Sequence, residues 1–230
     1  MLRSKIIKYI NLLLGVDPVF FQQQICLKKH FGTPYGGWTI ALEGINKNSI
    51  IYSFGIGTDI SFDLDLIKKY SLTINAFDPT PKSLEWLKQQ KIPKSLKVYQ
   101  WGIADYDGKE KFTLPPQENF VSFRKTKKDK SDKNIKLPVF QLSTIMKKLG
   151  HKRIDILKMD IEGFEYQVIE NILKSNLEIK QILVEFHHRF SGFSKKDTEK
   201  AINKLNKFGY KIFNISDVGL EYSLIKKYSK

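Results

Sequence analysis

SIIYSFGIGTDISFDLDLI (residues 49–67) changes periodicity at a pair of glycines. The apolar run before Gly55 reads as a buried strand, and the run after Ser61 carries helical spacing. Gly55 and Gly57 lack a Cβ and can take φ > 0, so the backbone between strand and helix can approach a ligand closely. Asp78 stands about twenty residues on, at the end of the next apolar run, where an acid can hold two ribose hydroxyls. A strand, a glycine turn and a ribose acid point to a nucleoside-containing cofactor without saying which one.

Outward from this segment, strand and helix patterns alternate. Strands are expected over 49–54, 72–77, 96–103, 155–161, 181–187 and 210–215, with a last short one over 221–226. Helices are expected over 61–70, 81–91, 140–149, 164–174 and 194–208. Such alternation builds a doubly wound α/β fold, a parallel sheet with helices on both faces. Residues 1–45 carry helical periodicity around a PYGGW turn (34–38) and read as a helical N-terminal extension folded onto a domain spanning 46–230. GKEKFTLP (108–115) reads as a small hairpin. The excursion over 105–139 is long for a compact domain, and loops of that length are commonly lids or binding loops. It carries RKTKKDKSDKNIK (124–136), which reads as a mobile basic loop near the carboxyl ends of the strands.

The segment with most chemistry is DILKMDIEGFEY, residues 155–166. Lys158, Asp160 and Glu162 alternate with Leu157, Met159 and Ile161, so an extended chain points all three polar groups to one side. Central strands are apolar on both faces, so ionisable groups at the strand end need partners or a function. Glu185 and His187 share a face of the following strand, and sequential strands are often neighbours. Asp160, Glu162, Glu185 and His187 are therefore expected to converge as a general-base cluster, or as a site for one divalent cation such as Mg²⁺ or Mn²⁺. The structural alternatives are a Lys158–Asp160 pair, carboxylates at Glu162 and Glu165 favoured by a helix N-terminus, and polar histidines at a strand end. Phe54, Phe77 and Phe164 read as core; His30 and His151 read as structural or exposed.

Composition narrows the classes. The chain has 230 residues, 41% hydrophobic, enough for one α/β domain. The single cysteine, Cys26, excludes an internal disulfide framework, and the default is a reducing, cytoplasmic setting. No stretch approaches the ~20 apolar residues of a membrane span. The start, MLRSKIIKYINLLLGV, is interrupted by Lys8 and Asn11, and reads as an amphipathic helix that packs on the domain or touches a membrane surface. The net charge of +15 attracts polyanions, including nucleic acid, anionic lipid or acidic glycan, but it is spread widely, as solubility alone would have it. The basic run has no interleaved aromatics for base stacking, so no stable nucleic-acid complex is expected. A nicotinamide enzyme fits poorly, because GIGTDI lacks the third glycine of the dinucleotide pattern. A nucleic-acid methyltransferase is the alternative that the charge favours, yet no Asn/Asp-Pro-Pro-aromatic motif follows the fourth strand.

The set of segments resembles the FkbM-type methyltransferases, a branch of the class I fold that uses S-adenosyl-L-methionine. The matching pieces are YSFGIGTDISFD, AFDPTP, GIADYDGKEKF, QLSTIMKKLGHKRIDILKMDIEGFEYQVIENIL and QILVEFHHRF, in that order over roughly residues 50–190. The resemblance implies a Rossmann-like sheet of seven mostly parallel strands with an antiparallel last strand. It implies O-methylation of a sugar, polysaccharide or secondary-metabolite hydroxyl. It places Gly55, Gly57, Asp59 and Ser61 in the cofactor turn, Asp78 on the ribose, Ala104 or Asp105 near the adenine, and Asp160 at the transfer centre. The acceptor expected is a hydroxyl-bearing molecule, with an anionic glycan favoured by the basic loop.

Overall fold

The computed structural model describes residues 2–113 and 134–226. A seven-stranded sheet forms its centre. The first three parallel strands, β3 (Ile51–Phe54), β4 (Ile74–Phe77) and β5 (Leu96–Tyr99), step outward from the middle to one edge. β1 (Lys28–Phe31) and β2 (Trp38–Ala41) precede them as a separate antiparallel hairpin. The chain then recrosses to place β9 (Arg153–Met159) on the other side of β3, followed by β10 (Glu178–Glu185). β12 (Glu221–Lys226) inserts antiparallel between β10 and the outermost strand, β11 (Tyr210–Ile215). The order is β11-β12-β10-β9-β3-β4-β5. This is the expected doubly wound sheet with one antiparallel strand. The direction of winding reverses between β3 and β9, and in open α/β sheets the ligand crevice lies beyond the carboxyl ends of the strands at that point.

β3 and β4 are buried along their whole length, as apolar runs in a double-faced sheet should be. One face is covered by α4 (Leu142–Leu149), α5 (Glu165–Lys174) and α6 (Lys195–Lys207), through Ile145, Val168, Ile172, Ile202 and Leu205. The other is covered by α2 (Ser61–Tyr70), α3 (Pro81–Lys88) and the β1–β2 hairpin, through Phe62, Leu66, Leu87, Trp38 and Ile40. α2 starts with Asp63 and ends with Lys68 and Lys69, matching its dipole. α3 opens on Pro81, whose fixed φ suits a first turn.

Three expectations need correction. The extension is helical only over α1 (Leu2–Leu13). Residues 28–41 form the hairpin instead, because Phe31, Trp38, Ile40 and Ala41 bury themselves in the same core as the sheet. The Gln181 side chain accepts from Ala41 N–H and donates to its carbonyl, both at 2.9 Å, which ties hairpin to sheet. Second, the strand expected over 96–103 stops at Tyr99, and Gly102–Ile103 is a separate strand, β6. Third, β7 (Gly108–Thr113) is not closed into a local hairpin. It pairs with β8 (Asn134–Phe140), which also pairs with β6, in a three-stranded sheet. Residues 134–136, read as the end of a basic loop, are therefore strand. The rest of that run, including Lys127, Lys128 and Lys130, lies outside the described residues.

Candidate functional site

A cavity of about 1040 Å³ opens at the winding switch. Its floor is the ends of β3, β4 and β9. Phe54 and Phe77 are core residues, as expected, and their stacked rings (centroids 4.3 Å apart) also line it. Phe77 continues the stack to Tyr99 at 5.1 Å, and Tyr99 meets the Trp101 ring at a tilt, 4.9 Å between centroids.

The glycine turn forms one wall. Gly55 has φ +72°, and a Cβ there would collide with the Asp160 carbonyl oxygen. Its glycine is demanded by the neighbouring strand end. Gly57 has φ +54° and faces open space, so it is the one that leaves room for a ligand. Lys158, 5% exposed, donates to the carbonyls of Phe54 (3.0 Å) and Gly55, and its ammonium stands 5.7 Å from the centre of the Trp38 ring. The buried lysine thus staples the turn. Asp78 accepts from Gly57 N–H at 3.0 Å with one oxygen, and from Thr80 N–H and Oγ1–H at 2.9 and 2.6 Å with the other. It shapes the turn and also lines the cavity.

Asp59 lines the cavity and accepts from Ser61 N–H at 2.8 Å and from the Thr33 hydroxyl at 2.7 Å. Burial raises its pKa, but these hydrogen bonds outweigh burial and hold the carboxyl low. Ser61 accepts from Thr33 N–H at 2.8 Å and does not line the cavity. Asp59 and Ser61 brace the turn against residues 32–37. Ala104 and Asp105 also stay outside: Ala104 is buried and donates to Phe140 O, and Asp105 is exposed. The residues of that stretch that reach the cavity are Trp101, Gly102 and Ile103.

The opposite wall holds the ionisable cluster. β9 and β10 are neighbours, and Asp160, Glu185 and His187 each present a donor atom within 4.8 Å of the others. The alternation that predicted this ends at Met159, since Asp160 lies just past β9 and Glu162 sits in a turn at φ +55°. His187 Nε2 is 3.6 Å from Asp160 Oδ1 and 3.5 Å from Glu162 Oε2. Its Nδ1 meets Glu165 Oε1 at 2.8 Å. Glu165, fully buried at the start of α5, also accepts from the N–H groups of Ile161 and Gly163, and so fixes both the turn and the imidazole. Glu221 on β12 is the register partner of Glu185 and lines the same wall.

Crowding of carboxylates sets the protonation. Burial pushes Glu185 up to about 8, with Asp160 adding and His187 opposing. Asp160 is likewise pushed upward by burial, against the pull of Lys158 and His187. Burial would lower His187, yet Glu165, Glu162 and Asp160 together carry it up to about 10. His187 is therefore an imidazolium at neutral pH, and Asp160 and Glu185 beside it are held toward their protonated forms.

Glu165, Glu221, Trp38 and Trp101 were not singled out by sequence. Glu165 had only the helix-start signal. Trp38 belongs to the PYGGW turn, whose aromatic beside two glycines was a usable sign of close packing.

Residues 42–212 match the family described as Methyltransferase FkbM domain. Among curated proteins, the chain is 23% identical over 180 residues to a probable methyltransferase-like protein 24 of Rattus norvegicus, covering 77% of this chain and 42% of that protein. The Homo sapiens protein of the same name is 23% identical over 189 residues, covering 81% and 43%. The chain thus spans less than half the length of these relatives. Among solved structures, a Methanococcus jannaschii fibrillarin pre-rRNA processing protein is similar at TM-score 0.47 and 12% identity, covering 80% of this chain and 69% of that one. An Aeropyrum pernix fibrillarin, solved with natively bound S-adenosyl-L-methionine, is similar at TM-score 0.43 and 11% identity, covering 81% and 68%.

Proposed function

The chain belongs to the FkbM methyltransferase family, and on that footing we propose that it transfers the methyl group of S-adenosyl-L-methionine to a hydroxyl of a sugar, polysaccharide or secondary metabolite. The observation that carries this reading is a single cavity holding the glycine turn, Asp78 and the Asp160–Glu185–His187 cluster at the winding switch. In this reading Gly57 leaves space for the methionine part, Asp78 takes the ribose hydroxyls, and the Trp101 ring at the cavity wall receives the adenine.

The sulfonium carbon is already electrophilic, so the protein must align the hydroxyl and accept its proton. An imidazolium at His187 has no lone pair for that proton. The proton goes to the Asp160–Glu185 pair, whose raised pKa values suit a base working near neutral pH. His187, held by Glu165, keeps the pair from repelling itself apart. The acidic wall also favours the sulfonium cation over the neutral sulfide left after transfer, which helps product leave.

A divalent cation fits the same donor set once His187 gives up its Nε2 proton, since two carboxylates and a neutral imidazole suit Mg²⁺ or Mn²⁺. Asp160, Glu185 and His187 would hold it, and it would lower the pKa of the acceptor hydroxyl. Activity abolished by EDTA and restored by Mg²⁺ or Mn²⁺ identifies that version; indifference to EDTA leaves the carboxylate base.

Calorimetry with S-adenosyl-L-methionine tests the cofactor assignment. Asp78→Ala removes charge-assisted bonds to the ribose worth about 1.5–3 kcal/mol, roughly ten- to hundredfold in Kd. Unchanged affinity in that variant, or preferential binding of NAD, overturns it.

A further inference from the structure

A surface helix normally buries its apolar stripe and shows its polar face to water. α1 does the reverse. Lys8, Asn11 and Leu12 are half-buried, whereas Ile6, Ile10 and Leu13 look outward, with Ile7 and Leu14 beside them. Leu13 is 87% exposed and Leu14 72%. The pattern continues past the helix: Phe21 is 77% exposed, Ile25 87% and Leu27 76%. Tyr9, Val16 and Val19 in the same segment are exposed as well; among the described residues outside 6–27, the exposed large apolar side chains are scattered singly, at Ile92, Tyr106, Phe208 and Val218, beyond Tyr35 on the cavity rim. Single exposed apolar residues are ordinary; a contiguous apolar face marks an interaction surface.

The charge carried by this segment of sequence identifies what covers it. The first 42 residues hold one acid, Asp17, against Arg3, Lys5, Lys8, Lys28 and Lys29. Asp17 is 2% exposed and spent on Arg189 (2.9 and 2.5 Å) and on His188 (3.0 Å). The chain as a whole carries +15. A second copy would bring like charge against like charge, and a polynucleotide offers nothing to aliphatic side chains. An anionic bilayer satisfies both properties: acyl chains take the apolar face, and headgroups are drawn by the basic excess of the segment, in which Lys29 is exposed while Lys8 and Lys28 are bonded inward to Ser216 and Phe213 carbonyls. α1, at 12 residues, is too short to cross the hydrocarbon and long enough to lie in its plane.

We propose that the outward apolar face of residues 6–27 docks this chain peripherally on an anionic lipid surface. The anchors of that segment fix the orientation. Lys8 Nζ donates to Ser216 O at 2.9 Å, and its stem lies against Gly219. Ser216, Val218 and Arg189, the partner of Asp17, all line the cavity. Docking therefore brings the cavity mouth to the interface. The inference stands independently of the methyl-transfer reading, because lipid binding requires neither cofactor nor acceptor.

Co-sedimentation of the full chain with vesicles tests it. Vesicles of phosphatidylcholine with one third phosphatidylglycerol should bind the chain, phosphatidylcholine alone should bind it weakly, and high salt should reduce binding. Leu13→Asp combined with Leu14→Asp changes two side chains that support no core, so folding, followed by circular dichroism, should be kept while vesicle binding falls by roughly tenfold or more. No binding to the anionic vesicles at low salt overturns the proposal. So does equal binding by the double variant, which would reduce the effect to net charge. A concentration-dependent dimer in light scattering that the double variant disperses assigns the face to a second copy, and overturns it too.

Discussion

Gly55 and Gly57 look alike in sequence and differ in space. Either alanine would sit in left-handed backbone, at a cost of about 1–2 kcal/mol. At Gly55 the new Cβ also meets the Asp160 carbonyl, so Gly55→Ala should destabilise the fold by more than about 3 kcal/mol in urea unfolding. Gly57→Ala should lose only the backbone strain and remain folded, while calorimetry shows weakened cofactor binding because the methyl enters the cavity. Equal stability losses would mean that the turn is not held as described. At the proposed transfer centre, Asp160→Asn keeps shape and removes charge. It should lower turnover by roughly 10²–10⁴, the usual range for a proton-transfer residue, and leave cofactor affinity in place. The residue types of this site were readable because acids at the end of an apolar strand are costly without a purpose. The reason for Gly55 was not, since the atom that excludes a side chain there belongs to Asp160, 105 positions away in the chain.

Elements with strong periodicity came out where their spacing put them: α2, α5, α6, β11 and β12 coincide with the expected spans to within a residue or two. The failures share a cause, which is that pairing with a distant partner overrode the local pattern. β8 hides its alternation of Ile135, Leu137 and Val139 among lysines and a proline, and becomes a strand because β6 and β7 flank it. The β1–β2 hairpin lies inside the stretch read as helical and is held by the core beneath it. That hold is concentrated in Gln181, buried on β10, whose amide satisfies both polar groups of Ala41. Gln181→Leu keeps the volume and strands both groups, so it should cost about 2–5 kcal/mol, read as a lower urea midpoint. Loosening of the hairpin should also change Trp38 fluorescence, because Trp38 sits between hairpin and cavity. A stability change without any change around Trp38 would place the effect elsewhere.

The molecule as a whole is strongly basic, yet its cavity is walled by Asp160, Glu162, Glu185 and Glu221. That contrast has a pH signature. Glu185 in the folded chain titrates at about 8, above its ordinary 4.5, so folding favours its protonated form. The stability this group contributes is complete below about 4.5 and is lost as pH rises through about 8. Glu185→Gln should therefore melt at a higher temperature than the parent above that pH, and match it in acid; a lower melting temperature in alkali would refute the raised value. Turnover should rise with pH toward a plateau above about 8 as Glu185 deprotonates beside Asp160, and a profile flat from neutral upward would remove the pair from proton transfer. Sequence alone determined the class of fold, the glycine turn, the acid at the end of the second sheet strand and the identity of the clustered acids, because burial period and backbone freedom are local properties of the chain. Tertiary structure alone decided that Glu165 clamps His187, that Glu221 faces Glu185 and that Trp101 rather than Ala104 reaches the cavity. It also turned the apolar face of α1 outward. These depend on which strands and turns meet across the sheet, and long-range contacts of that kind leave no period in the sequence.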